Sequence, residues 1–124
     1  MARSGDRLYR VTNTTRGTVL AEQSGIADSF VRRGFGLMMK KGLPESGGLI
    51  IRPCNSVVSF FMRFPIDVVF VDRESKVRHI IPDMVPWRTS SIVRGSKFVV
   101  ELPAGTVEKT TTQVGDEISL NKIG

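Results

Sequence analysis

The chain has 124 residues, and its 18 Lys and Arg against 12 Asp and Glu leave a formal charge of +6. With 40% hydrophobic and 24% charged residues it is too apolar for a disordered segment, and its length suits a single domain over residues 1–124. One Cys and one His exclude a disulfide framework and a zinc site built from those two residue types, and no metal or cofactor is expected.

The charge is uneven: residues 1–63 carry ten Lys and Arg against four Asp and Glu, whereas residues 64–124 carry eight of each. A basic half suits a nucleic-acid surface, but these cations are scattered, with only Arg32-Arg33 and Lys40-Lys41 adjacent. An ordinary solvated surface accounts for them better. Charges interrupt the first sixteen residues, so the apolar stretch of a secretory signal is missing. Apolar runs such as Val68-Val69-Phe70-Val71 are far shorter than the ~20 residues of a membrane span, and the expected location is the cytoplasm, with no membrane partner.

In chain order, Leu8 to Asn13 and Thr18 to Gln23 are rich in β-branched residues around Thr14-Thr15-Arg16-Gly17, which predicts a hairpin. Ile26, Ala27, Phe30 and Val31 recur at helical spacing, with Ser24 as N-cap and Gly34 as stop. Gly42 to Gly48 reads as a loop and Leu49 to Arg52 as a short strand. From Val58 to Asp72, alternate residues Val58, Phe60, Met62, Phe64, Ile66, Val68 and Phe70 form an apolar face. The opposite face holds Arg63 and Asp67, on either side of a break at Pro65 and away from the core. Arg73-Glu74-Ser75 turns the chain into a strand from Lys76 to Ile81, followed by an irregular loop from Pro82 to Gly95. In the strand Lys97 to Leu102, Phe98, Val100 and Leu102 face inward and Lys97, Val99 and Glu101 outward. Val107 to Thr112 suits one weak helical turn that three threonines oppose, and Glu117 to Leu120 is the last strand. The fold class is therefore α+β and β-dominated: a compact single domain with a partly closed small barrel of seven or eight short strands and one or two short helices.

Most chemical motifs can be set aside. Gly34-Phe35-Gly36 lacks both the third glycine and the preceding strand of a dinucleotide fingerprint, and no Gly-Lys-Ser/Thr loop occurs. His79 reads as a half-buried strand residue and Cys54 as an inert packing residue. What remains is a pattern: Arg33, Gly36-Leu37-Met38, the block from Phe60 to Asp72, Pro86-Trp87-Arg88, Glu101-Leu102-Pro103-Ala104-Gly105-Thr106 and Val114-Gly115-Asp116. In this order and spacing, over about residues 24–120, it resembles the DUF192 (UPF0127) family of small prokaryotic proteins. The resemblance implies a β-rich single domain without known catalytic residues. Relatives with this block often carry His where this chain has Val58, so a catalytic role for such a His would not apply here.

Within the block, Arg33, Arg63, Asp67 and Glu101 are expected to converge on a small polar cleft at the Pro65 break, with Met62, Trp87 and Arg88 beside it. A guanidinium fork suits a carboxylate or phosphate, and the two acids suit hydroxyl groups. An internal ion-pair network that only fixes the bend is the competing explanation. The reading favours a non-catalytic module for a small anionic or polyhydroxy ligand or a peptide. The alternatives are a nucleic-acid-binding barrel using the basic N-terminal half, and an enzyme with a carboxylate general base.

Overall fold

The computed structural model describes residues 8–27, 47–52, 64–85, 88 and 90–123. Among them are seven strands: β1 (Leu8–Asn13), β2 (Thr18–Ala27), β3 (Gly47–Ile51), β4 (Ile66–Asp72), β5 (Val77–Met84), β6 (Ser96–Pro103) and β7 (Ile118–Ile123). One helical turn, α1 (Thr106–Lys109), separates β6 from β7. The strands form a single sheet in the order β5-β4-β6-β3-β2-β1-β7. All neighbours are antiparallel except β2 and β3.

The sheet curls without closing. Lys76 and Glu117, the residues just before the edge strands β5 and β7, form an isolated bridge. Around it the Val77 N–H donates to the Asp116 carbonyl at 2.9 Å, and the Ile118 N–H to that of Ser75 at 2.8 Å. The barrel is therefore open, and closure does not remove its edges as a full barrel would. Edge strand β5 is guarded differently. Pro82 has no N–H to offer a further strand, and the register shifts there, since Ile81 faces Val68 while Met84 faces Ile66. The expected loop from Pro82 thus begins later, because an edge strand accommodates a proline that an inner one would not.

Two apolar clusters occupy the two faces. The inner cluster draws on all seven strands and includes Val11, Leu20, Ile50, Val69, Val100 and Ile118. The outer cluster uses only β3 to β6, with Leu49, Ile51, Ile66, Val68, Phe70, Met84 and Val99. Strand β4 is buried along its whole length, as expected of a strand covered on both sides. Val69 and Val71 belong to the inner cluster, so the face assigned to Asp67 is a core face and not one turned away from it.

Local departures have local causes. β2 runs to Ala27, so Ser24 is no helix cap: it lies fully buried in the strand, opposite Gly48. Gly47 and Gly48 belong to β3, not to a loop. A Cβ on Gly48 would sit 2.9 Å from the Glu101 carbonyl oxygen, so glycine lets β3 and β6 approach at this point. The first hairpin turns as expected, with Gly17 at φ 71° and its N–H on the Asn13 carbonyl. Residues 28–34, which include most of the expected helix, and residues 58–63 of the long apolar face lie outside the described residues.

Candidate functional site

Asp67 is 1% exposed and has a defined task. Its Oδ1 accepts the Asp83 N–H at 2.8 Å; its Oδ2 accepts those of Gly105 at 3.1 Å and Val107 at 2.8 Å. The first of these groups sits in the β5 bulge, where Asp83 has φ 53°. The other two open α1, whose first N–H groups have no partner within a helix this short. One carboxylate therefore ties the edge bulge and the helical turn to the middle of the sheet. That is a structural role.

Glu101 lies elsewhere. In the β4–β6 ladder Asp67 faces Leu102 and Val68 faces Glu101, so the two acids, one residue apart in register, point to opposite faces. Glu101 shares the outer face with Val68 on one side and Leu49 on the other. It is 6% exposed, where an outward, solvated residue was expected, and no hydrogen bond reaches its carboxyl from the described residues. Burial pushes its pKa up to about 8. At neutral pH it is a neutral carboxyl that can both donate and accept a hydrogen bond.

The expected meeting of Asp67 and Glu101 in one cleft is thus overturned by the sheet itself, since adjacent register positions cannot share a face. Arg33, Met62, Arg63 and Trp87 lie outside the described residues, as do Cys54 and Val58. Arg88 is exposed in the β5–β6 connection. Pro65 precedes β4 directly, a position where its missing N–H costs no ladder bond. His79 is exposed on β5, with its ring 5.7 Å from that of Phe70. Of the ten basic residues in the first half only Arg10, Arg16 and Arg52 are described; Arg10 pairs with Glu22 at 3.1 Å and Arg16 with Asp116 at 3.0 Å. A groove of about 320 Å³ between β2 and α1, lined by Leu20, Glu22, Thr106 and Lys109 among others, includes neither Asp67 nor Glu101.

One end of the sheet holds a buried polar network that the sequence patterns above do not mark. Asn13 Nδ2 donates to Asp116 Oδ2 at 2.9 Å and to Thr112 Oγ1 at 3.2 Å, while its Oδ1 accepts the Arg16 N–H at 3.0 Å. Asp116 also accepts Arg16 Nε and Nη2 and the Gln113 N–H. The available signal was turn chemistry: Asn13 before Thr14-Thr15-Arg16-Gly17, and Asp116 after Val114-Gly115. Burial works against the Asp116 carboxylate, but bonds from Arg16, Asn13 and the Gln113 N–H, with the Arg16 charge, outweigh it and hold its pKa below the usual range. A depressed pKa stabilises the fold above the unfolded-state value, and this is lost as pH falls through the folded-state value. Asp116→Asn is expected to cost about 2 kcal/mol at neutral pH. Urea unfolding should show the gap to wild type closing as the solution is acidified through the carboxylate range.

Among the described residues no three His, Cys, Asp or Glu side chains gather into a metal site, and no helix is long and apolar enough to cross a membrane. The model of the DUF192 family, described as an uncharacterized ACR, matches residues 11–120. The chain belongs to the DUF192 family. A UPF0127 protein of Pyrococcus furiosus is 32% identical over 116 residues, covering 90% of this chain and 97% of the relative. Another from Thermococcus sibiricus is 33% identical over 110 residues, 86% of this chain and 71% of the relative. A crystal structure of a protein of unknown function from Novosphingobium aromaticivorans superposes with a TM-score of 0.78 at 21% identity, over 90% of this chain and 83% of that one. At that identity the likeness shows the fold alone. The function of the DUF192 family is uncharacterised, so any activity must be argued from the residues of this chain.

Proposed function

We propose that this protein is a non-catalytic, cytoplasmic binding module for a small polar ligand, anionic or polyhydroxy, or for a peptide group of that size. One observation supports the reading: a carboxyl without a partner among the described residues, set into an aliphatic sheet face. Burying a polar group without a hydrogen bond is costly, and a ligand that supplies the bond recovers that cost. Asp67, fully engaged with backbone groups, takes no part; Glu101 is the residue that would meet the ligand. Arg63 and Arg33 remain proposed contributors of positive charge from the same sequence block, with Met62, Trp87 and Arg88 beside them.

A thermal-shift screen of carboxylic acids, phosphates, sugars and short peptides tests this. A true ligand at a hundred times its dissociation constant should stabilise the fold by about 2.7 kcal/mol. Glu101→Leu, which fills the same aliphatic surroundings, should fold and give no shift. A screen in which nothing stabilises wild type more than Glu101→Leu would sink the reading.

A second reading, general acid–base catalysis, is favoured by the same carboxyl, because proton transfer works best from a group whose pKa lies near the working pH. Carbon-detected NMR titration of Glu101 decides whether it stands. A midpoint in the ordinary carboxylate range removes it.

A further inference from the structure

Strand β2 and the helical turn α1 border a groove of about 320 Å³, the size of a small-molecule site. Its floor is the buried part of the lining, Leu20, Ala21 and Thr110. Val19 and Glu22 stand on the β2 side, Thr106 and Lys109 on the α1 side. Both sides are held in place. Asp67 accepts the N–H groups of Gly105 and Val107 at one end of α1, and Thr18 Oγ1 donates to the Thr110 carbonyl at the other, at 3.1 Å. The floor hydroxyl is fixed as well. Asn13 Nδ2 can only donate, so Thr112 Oγ1 accepts from it and directs its own proton to Thr110 Oγ1 at 2.8 Å. Thr110 Oγ1 donates in turn to the Thr106 carbonyl at 2.8 Å. Walls already fixed lose little freedom when a ligand enters.

The charges on the rim are unequal. Glu22 is paired with Arg10 at 3.1 Å, whereas Lys109 forms no ion pair with any described residue, Glu22 across the groove included. We infer that this groove is a second binding site, for a small aliphatic carboxylate with a hydrogen-bond donor at its far end. The carboxylate meets Lys109 Nζ in a charge-assisted bond. The carbon chain covers Leu20 and Ala21 and takes water off Val19, which is 40% exposed. The distal donor reaches Glu22, of which Arg10 engages only Oε1, so that Oε2 can accept. Neither Glu101 nor Asp67 lines the groove, so this site stands or falls apart from the binding role of Glu101.

The test follows the amides of the full chain by NMR while butyrate, γ-hydroxybutyrate or butylammonium is added at constant ionic strength. Both carboxylates should shift residues 19–22 and 106–110, and γ-hydroxybutyrate should bind the more tightly. Lys109→Gln should weaken both by about fivefold to tenfold, the exposure of Lys109 screening what a dry pair would gain. Lys109→Arg, which keeps the charge, should retain them. Glu22→Ala should erase the advantage of γ-hydroxybutyrate over butyrate. Equal shifts from butylammonium, an affinity unchanged in Lys109→Gln, or carboxylates that leave residues 19–22 and 106–110 unmoved would each overturn the inference. Shifts gathered instead around Leu49, Val68 and Glu101 would overturn it too, while supporting the role proposed for Glu101.

Discussion

Glu101→Gln is expected to abolish a pH dependence of stability that the wild type carries between about pH 4.5 and pH 8. The folded protein holds the Glu101 proton up to about 8, whereas the unfolded chain releases it near 4.5. Between these values the unfolded state binds fewer protons, so wild-type stability falls with rising pH by about 1.4 kcal/mol per unit. The whole contribution is present below the lower value and gone above the upper one. Across the window the loss is of order 5 kcal/mol, comparable with the entire stability of many small domains. An amide of the same shape does not titrate. The variant should therefore match wild type near pH 4.5 and exceed it by roughly 4 kcal/mol near pH 8. Urea unfolding at four or five pH values reads both numbers. Parallel pH profiles for the two proteins would show that the carboxyl is solvated or paired.

The second large effect is at Asp67. Asp67→Ala removes the acceptor of three backbone N–H groups at once, those of Asp83, Gly105 and Val107. The Asp83 group lies in the edge bulge and the other two open a helical turn too short to stand alone. Each donor left dry costs about 1–3 kcal/mol, reduced where water reaches it, so a total near 4 kcal/mol is expected. Asp67→Asn should cost nearly as much. Its amide supplies one oxygen and turns a donor toward the remaining N–H, which replaces an attraction with a repulsion. Amide exchange at positions 83, 105 and 107 should accelerate ahead of global unfolding in both variants. A loss below 1 kcal/mol with unchanged exchange would remove the tie between the sheet, its edge and α1.

These two acids also separate what is local in the chain from what is not. Alternation through Ile66, Val68 and Phe70 marks one buried face reliably, because a strand's period of two is a local property. That Asp67, Val69 and Val71 form a second buried face is not local. It depends on the sheet curling around an inner cluster to which all seven strands contribute. Glu101 is on the outer face, as alternation within β6 suggested, but it is buried there and not solvated. Register, not spacing in the chain, then places the acids on opposite faces, through the pairings Asp67 with Leu102 and Val68 with Glu101. The polar end formed by Asn13, Arg16, Thr112 and Asp116 follows the same logic, since its members lie about a hundred residues apart in sequence.

Length, apolar alternation, β-branched runs and turn residues were enough for a β-dominated single domain, for the hairpins at Gly17 and Ser75, and for the family likeness in the Phe60–Asp72 and Glu101–Thr106 blocks. Each of these is written in residues a few positions apart. Tertiary structure alone decided that the sheet stays open beyond the Lys76–Glu117 bridge, that Asp67 is a tether, and that Glu101 is enclosed by aliphatic neighbours. Those outcomes turn on strand pairing over long sequence separations, where burial and hydrogen bonding are set by whichever strand arrives from elsewhere.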